Sequence, residues 1–367
     1  QEILSDISMP IHETTAMSSE EGEIKSEEEI IRMEMIERSL ISVGNTERIQ
    51  KAITKAKNGE EVTLVYLGGS ITQGAGADPE KENCYAALSA QLFADKFADD
   101  ESKVNYINAG IAGTPSLLGL TRCNKDVISH NPDVVFVEFA VNDGSDPTSR
   151  EVYESLVRKL LNSESSPAVV LIFTVLSSGY SAQDNMQQTG AHYDLGMISV
   201  REAITPEIEA GRMTFIGEYA VDEAHPSNFG HSLIAELIGY YFDKAEEIVS
   251  VNYTVPSEAH YKASFEKLEN ITDGSEYISS LGDFEYGALN CFTYKRGWQR
   301  RGNADNSPMV INLEFSKMTV AYKQVNSQTN GAVDVYIDGE KVKTLHGYSE
   351  NGWGNVATEI VLSSQES

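Results

Sequence analysis

The sequence predicts an α/β domain built on a parallel sheet, followed by a smaller all-β domain. Between about 45 and 250, short continuous runs of Val, Ile, Leu and Phe alternate with segments of helical period, the pattern of a parallel sheet covered on both faces. After about 250 the helical period disappears, and short β-rich segments separated by Gly, Asn and Asp take its place. A chain of 367 residues is also longer than one core usually organises.

Residues 1–44 read as an acidic lead-in dominated by Ser, Glu and Met. Its stretch "SSEEGEIKSEEEIIRMEMIERSL" carries an apolar stripe only in the second half, so a solvated segment whose last turns dock on the domain is expected. The domain of 45–250 opens with "NTERIQKAITKAKNGE", a helix with an N-cap-type Asn and a Gly stop, and then "EVTLVYL", a buried strand. Four further strands are expected in "VNYIN", "DVVFVEF", "AVVLIFTV" and "MTFIG", with helices near 83–97, 116–128, 149–162 and 191–204 between them. A last helix covers "NFGHSLIAELIGYYFDKAEEI". The segment 255–367 holds "EYISSL", "NCFTYK", "MVINLEF", "MTVAYKQV", "AVDVYIDGEKV" and "TEIVLSS", and Asp338-Gly339 marks a hairpin turn. It reads as a β-sandwich of jelly-roll type.

Composition narrows the function. The net charge is -28, from 56 acidic and 28 basic residues, which repels a polyanion such as nucleic acid and favours a neutral substrate. No apolar run approaches the roughly 18 residues of a membrane span. Cys84, Cys123 and Cys291 lie far apart, with no CxxC and no His at metal-ligand spacing, so neither a zinc site nor a disulfide framework is expected. The chain begins "QEILSDISMP" with neither an initiator Met nor an apolar leader, and reads as a processed form compatible with secretion.

In an open parallel sheet, reactive groups collect at the carboxyl ends of strands. The first strand is followed by Gly68-Gly69-Ser70, the second by "NAGIAGTPS", and the third by "AVNDGSD"; the last is followed by "VDEAHPSNFGH". The glycines of "LVYLGGSITQGAG" are not those of a P-loop, because Ala75 stands where its Lys belongs. Pro79 denies a dinucleotide loop its third Gly, and Thr72 replaces the second Gly of a G-x-S-x-G elbow. A serine nucleophile survives this comparison. Its hydroxyl needs an imidazole to take the proton and a carboxylate to orient that imidazole, and Asp222 and His225 stand three residues apart on one loop. A tetrahedral oxyanion needs fixed donors, which backbone N–H groups beside glycine and an Asn amide supply. Gly113, Asn142 and the N–H of Ser70 are placed for that.

These residues resemble the SGNH hydrolases, also called the GDSL family of esterases and lipases. "GGSIT" is similar to the first block of that family, with Gly69 where its Asp often stands; "NAGIAGT", "FAVND" and "DEAHP" are similar to the second, third and fifth. The resemblance covers roughly 45–250. It implies a three-layer α/β/α sheet and catalytic Ser70, Asp222 and His225. It also implies an oxyanion hole of Ser70, Gly113 and Asn142, and no metal or cofactor. Ala140 replaces the Gly of the third block. Gly69 and the following β-domain resemble the carbohydrate acetylesterase branches more than the lipase branches.

The expected activity is therefore a secreted or cell-surface serine esterase that removes acetyl groups from a plant cell-wall polysaccharide, a hemicellulose such as xylan or mannan. The alternatives are a short-chain lipase or lysophospholipase of the same fold, and a catalytically silent glycan-binding protein. His130, His192 and His231 are read as structural, and Asp143 as a residue that tightens its loop. Trp298 and Trp353 lie in polar, Gly-bearing stretches of the β-domain, where an aromatic face either packs in the core or stacks on a sugar. The basic cluster "YKRGWQRR" is equally suited to docking on the acidic domain.

Overall fold

A computed structural model of the chain describes residues 26–291, 293–300 and 306–363. Residues 1–25 of the expected acidic lead-in and Arg301 of the basic cluster lie outside them. The first helix, α1 (Glu27–Ser39), starts at a capping box: the Ser26 hydroxyl accepts from the Glu29 N–H, and the Glu29 carboxylate accepts from the Ser26 N–H. Then follow β1 (Leu40–Ser42), α2 (Glu47–Lys57), β2 (Val62–Gly68), the single turn α3 (Ser70–Gln73), α4 (Glu80–Asn83) and α5 (Tyr85–Phe97). The domain continues through β3 (Val104–Gly110), α6 (Ser116–Asp126), β4 (Val134–Glu138), α7 (Pro147–Leu161), β5 (Ala168–Phe173) and α8 (Gln183–His192). It closes with β6 (Gly196–Ser199), α9 (Val200–Glu209) and α10 (Asn228–Glu247).

The six strands form one sheet in the order β1-β6-β5-β4-β2-β3, parallel except for β1, which pairs antiparallel with β6 at the edge. Successive side chains of a strand point to opposite faces. In β2, Leu64 and Tyr66 therefore enter a core with α2, α5 and α10, while Val65 and Leu67 enter a second core with α6, α7 and α8. Tyr66 stacks on Phe136 of β4 at 4.6 Å between ring centres, and Phe242 of α10 meets Phe136 edge-on at 6.0 Å. Each such side chain, fully buried, stabilises the fold by about 1.5–3 kcal/mol. The expected three-layer α/β/α architecture is the one observed.

Two expectations within it change. The run "MTFIG" is not a strand of the sheet: Met213 is buried, but Ile216 is 52% exposed and makes only an isolated bridge to Ala220. The place beside β5 is taken by Gly196–Ser199. The expected helix over 191–204 is accordingly divided, because α8 ends at His192, Asp194 takes a positive φ of 49°, and the chain runs through β6 before α9 begins.

After α10 the chain runs back across α7. Glu154 of α7, fully buried, accepts from the N–H groups of His260, Tyr261 and Lys262 and from the Tyr193 hydroxyl, while Arg158 pairs with Glu266 at 2.7 Å. A carboxylate has only acceptor capacity, so this cluster of donors compensates its burial. The rest of the chain is all β: β7 (Ile278–Ser280), β8 (Phe284–Ala288), β9 (Arg296–Arg300), β10 (Val310–Ile311), β11 (Lys317–Val325), β12 (Ala332–Ile337), β13 (Glu340–His346) and β14 (Trp353–Ser363). Among the described residues they pair antiparallel as β7 with β10, β8 with β9, β11 with β14, and β12 with β13. Asp338 and Gly339, both at positive φ, form the expected turn between β12 and β13.

This part docks on α6. Leu118 packs with Cys291 and Val356, and the Thr121 hydroxyl bonds the Tyr294 hydroxyl at 2.5 Å. Further along, Lys317 pairs with Glu151 of α7 at 2.7 Å.

Candidate active site

The strand order creates the site. β2 lies between β3 and β4, so the connections leaving β2 for β3 and β3 for β4 part to either side of it, the switch point at which open α/β sheets bind ligands. Gly68 at the end of β2 stands opposite Gly110 of β3 and Glu138 of β4. The loops carrying Ser70, Gly113 and Asn142 therefore leave the sheet side by side.

Ser70 is the first residue of α3. Its Oγ lies 2.9 Å from Nε2 of His225, and Nδ1 of His225 lies 2.8 Å from Oδ2 of Asp222. Because the carboxylate can only accept, the proton on that side belongs to Nδ1, and Nε2 is left to accept the Ser70 hydroxyl proton. The other oxygen of Asp222, Oδ1, accepts from the N–H groups of Ala224 and His225, each at 2.8 Å. Partial burial would raise the Asp222 pKa, but the hydrogen bonds from His225 and Ala224 outweigh it and hold the carboxyl below its ordinary range. The carboxylate thus stays charged opposite the imidazole. Asp222 and His225 do not follow a sheet strand as expected; they ride on the loop between α9 and α10, closed by Val221 N–H on His225 C=O at 2.9 Å and Ser227 N–H on Tyr219 C=O at 2.8 Å.

Gly76, at φ +97°, lets this loop approach. A Cβ there would lie 2.2 Å from the Pro226 carbonyl oxygen. His231, on α10, ties the same region together from below: its Nδ1 accepts from the Tyr85 N–H and its Nε2 donates to the Ala75 carbonyl, each at 3.2 Å. Burial pushes its pKa down to about 4. It is a neutral strut. His192 bonds the Glu258 carbonyl on the far side of the sheet, and His130 ends a short 3-10 turn before β4.

The donors expected for an oxyanion come together here. Neither the Ser70 nor the Gly113 N–H is used in a turn, loop or cap hydrogen bond among the described residues. Asn142 packs its amide against Gly69, with Oδ1 only 2.3 Å from where a Gly69 Cβ would stand, and this oxygen is buried without a hydrogen-bond partner. The amide is held by contact rather than by a bond to its oxygen. Asp143, next in the chain, joins the two loops: its Oδ1 accepts from the Ser116 N–H at 2.7 Å, three residues beyond Gly113. Burial raises its pKa to about 7.

A sequence model of the GDSL-like lipase/acylhydrolase family matches residues 66–233. The solved structure of a two-domain esterase active on acetylated mannans aligns with a TM-score of 0.81 at 31% identity, over 90% of each chain. The same esterase co-crystallised with mannopentaose aligns at 0.80 and 31%, over 90% of this chain and 89% of that one. The protein belongs to the GDSL-like lipase/acylhydrolase family. An acetylxylan esterase of Geobacillus stearothermophilus is 26% identical over 204 residues, 49% of this chain and 93% of that protein. The chain is a carboxylic ester hydrolase, and the α/β/α sheet with a β-rich C-terminal part is the architecture of its two-domain relative.

The sequence leaves Trp353 between core packing and sugar contact and gives Glu138 no role; the structure sets both beside the Ser70 loops. Trp353, the first residue of β14, lies over Gly113: its indole Cζ2 is 2.8 Å from where a Cβ on Gly113 would stand, and the side chain is 51% exposed. Trp298, by contrast, is half-buried and set edge-on against Tyr286 at 5.4 Å. The flanking glycines of "NGWG" mark Trp353 as a loop-borne aromatic, yet nothing local reveals which loop it faces. Glu138 is fully buried under the Ser70 turn, and its signal is an acid inside the apolar run "VVFVEF".

The contact between Gly69 and Asn142 makes a direct test. A Cβ on Gly69 would meet the Asn142 amide; with Asn142 as the oxyanion donor the sequence leads one to expect, its displacement lowers kcat by about 100-fold or more. We expect a folded variant with kcat on an aryl acetate reduced by that order and KM little changed, measured by steady-state kinetics.

Proposed function

We propose that the hydrolase is a serine esterase that removes O-acetyl groups from a hemicellulose, with acetylated mannan as the first candidate. The observation that carries this reading is the unbroken relay from Ser70 through His225 to Asp222. The likeness to an acetylmannan esterase extends along both parts of the chain and supports the choice of polymer. Ser70 Oγ attacks the acetyl carbonyl while His225 Nε2 takes its proton. The oxyanion is held by the N–H groups of Ser70 and Gly113 and by the Asn142 amide. Collapse of the tetrahedral intermediate breaks the bond to the sugar oxygen, which leaves with the proton from His225. Water, deprotonated by His225, then attacks the acetyl-serine and releases acetate.

In this reading 45–250 is the catalytic domain and 255–367 an accessory domain that shapes the substrate site. Trp353 offers a flat apolar face beside Gly113, suited to the C–H face of a pyranose ring whose acetyl group reaches Ser70. The acidic surface, with a net charge of -28, is compatible with an uncharged polymer. A polymer of this kind is met outside the cell, so a secreted or cell-surface location accompanies the proposal. No helix among the described residues is long and apolar enough to cross a membrane.

Ser70→Ala should abolish acetate release from both acetylated mannan and an aryl acetate, with thermal unfolding unchanged; retained turnover would remove Ser70 from the mechanism. Wild-type enzyme should prefer acetyl over octanoyl esters, and the reverse preference would point to a lipase. Trp353→Ala should lower kcat/KM on acetylated mannan about tenfold more than on an aryl acetate, the size of one lost ring contact. An equal effect on both substrates would deny Trp353 a sugar-binding role.

A further inference from the structure

Glu138 closes β4 four residues before Asn142 and is completely buried, yet ester hydrolysis consumes no proton from it. Its carboxylate collects four donors. The Thr174 hydroxyl reaches Oε1 at 2.7 Å, the Thr72 hydroxyl reaches Oε2 at 3.0 Å, and the backbone N–H groups of Gly69 and Thr72 point at it as well. The Thr72 Oγ1 is in turn 2.8 Å from the Tyr85 hydroxyl. The Thr72 hydroxyl has a single proton, which it donates to Glu138, so its oxygen is left to accept from the Tyr85 hydroxyl. Burial raises the pKa of Glu138, and the four donors act against that rise.

The placing of those donors matters for the nucleophile. Gly69 and Thr72 flank Ser70 in the turn between β2 and α3; the Thr72 hydroxyl bonds Glu138, and the N–H groups of both residues face its carboxyl closely enough to act against the rise in its pKa. Thr174, just past β5, anchors the carboxylate from the opposite side. Strand ends of β2, β4 and β5 thus meet at one buried group beside the turn that carries Ser70.

We propose that Glu138 is a positioning residue for acyl transfer: by binding the amides and the hydroxyl around Ser70, it fixes the turn so that the Ser70 Oγ faces His225 and its N–H stays free for the oxyanion. The proposal rests on the reading of Ser70 as nucleophile. Glutamine keeps the size of the side chain but presents an N–H₂ in place of one of the two acceptor oxygens. The donors at that oxygen must then rearrange around the Ser70 turn, and small misplacements of reacting groups are expensive in rate.

The test compares Glu138→Gln, Thr174→Val and Ser70→Ala in the full chain, at a temperature at which thermal unfolding shows each to be folded. For Glu138→Gln we expect kcat on an aryl acetate to fall about ten- to a hundredfold with KM within about twofold. The rate of phosphonylation by a fluorophosphonate should fall by the same factor. Thr174→Val, which removes one donor and is the milder change, should lower kcat about fivefold with the same split, and it decides the matter if Glu138→Gln does not fold. A folded Glu138→Gln, or in its absence a folded Thr174→Val, with wild-type kcat and wild-type phosphonylation overturns the proposal. So does a loss of activity that only tracks the folded fraction. If Ser70→Ala retains turnover, the nucleophile assignment falls with it; if Ser70→Ala is dead and Glu138→Gln is not, only the role of Glu138 falls.

Discussion

The pairing of β2 with β3 on one side and β4 on the other is the constraint on which the site depends. In that register Gly68 stands opposite both Gly110 and Glu138, so three loops depart from one point of the sheet edge. Parallel strands hold this register through evenly spaced ladder bonds and through side chains locked in cores on both faces; on one of them Tyr66, Phe136 and Phe242 pack ring against ring. A slip of one residue would turn every β2 side chain to the wrong face. The relay of Ser70, His225 and Asp222 is therefore only as well placed as the packing beneath it.

Around that point the polar groups work in opposite directions. Asp222 is held charged by donors and faces the imidazole from a partly open loop, while Asp143 and Glu138 lie buried and link the loops to one another. A buried carboxylate is costly unless its lone pairs are filled, and those of Glu138 are filled largely by the turn that carries the nucleophile. The Thr72 hydroxyl ties the acid directly to that turn. Contact does the corresponding work for Asn142, whose amide is set by the absent side chain of Gly69. This gives a physical reason for glycine at a position where relatives of the family often carry Asp.

Much of this was legible in the sequence because the chemistry restricts residue types. Ser70 behind two glycines, Asn142 after a buried strand, and Asp222 three residues before His225 each fit what the proposed nucleophile, oxyanion donor and oriented base require. The chain's continuous apolar runs likewise announced β2, β4 and β5. β6 was hidden because Gly196–Ser199 is only four residues long and sits between two helices, so helical period ran across it, while "MTFIG" imitated a buried strand although Ile216 faces solvent. The place of Trp353 depends on Leu118, Thr121 and Tyr294 joining two parts of the chain far apart in sequence, and no local pattern encodes that. Glu138 left a trace as an acid in an apolar run, but its partners come from the ends of two other strands, β2 and β5.

The central claim is that Ser70 is the atom donor to the acyl group, activated through His225. Mass-spectrometric mapping of the enzyme after complete inactivation by a fluorophosphonate tests it most directly. We expect one adduct, on Ser70 in the peptide that contains "GGSIT", with acetate release lost in step with its formation, and no adduct when His225 is replaced by Ala. Full acetate release from enzyme labelled at Ser70, or inactivation through an adduct on another residue, would contradict it.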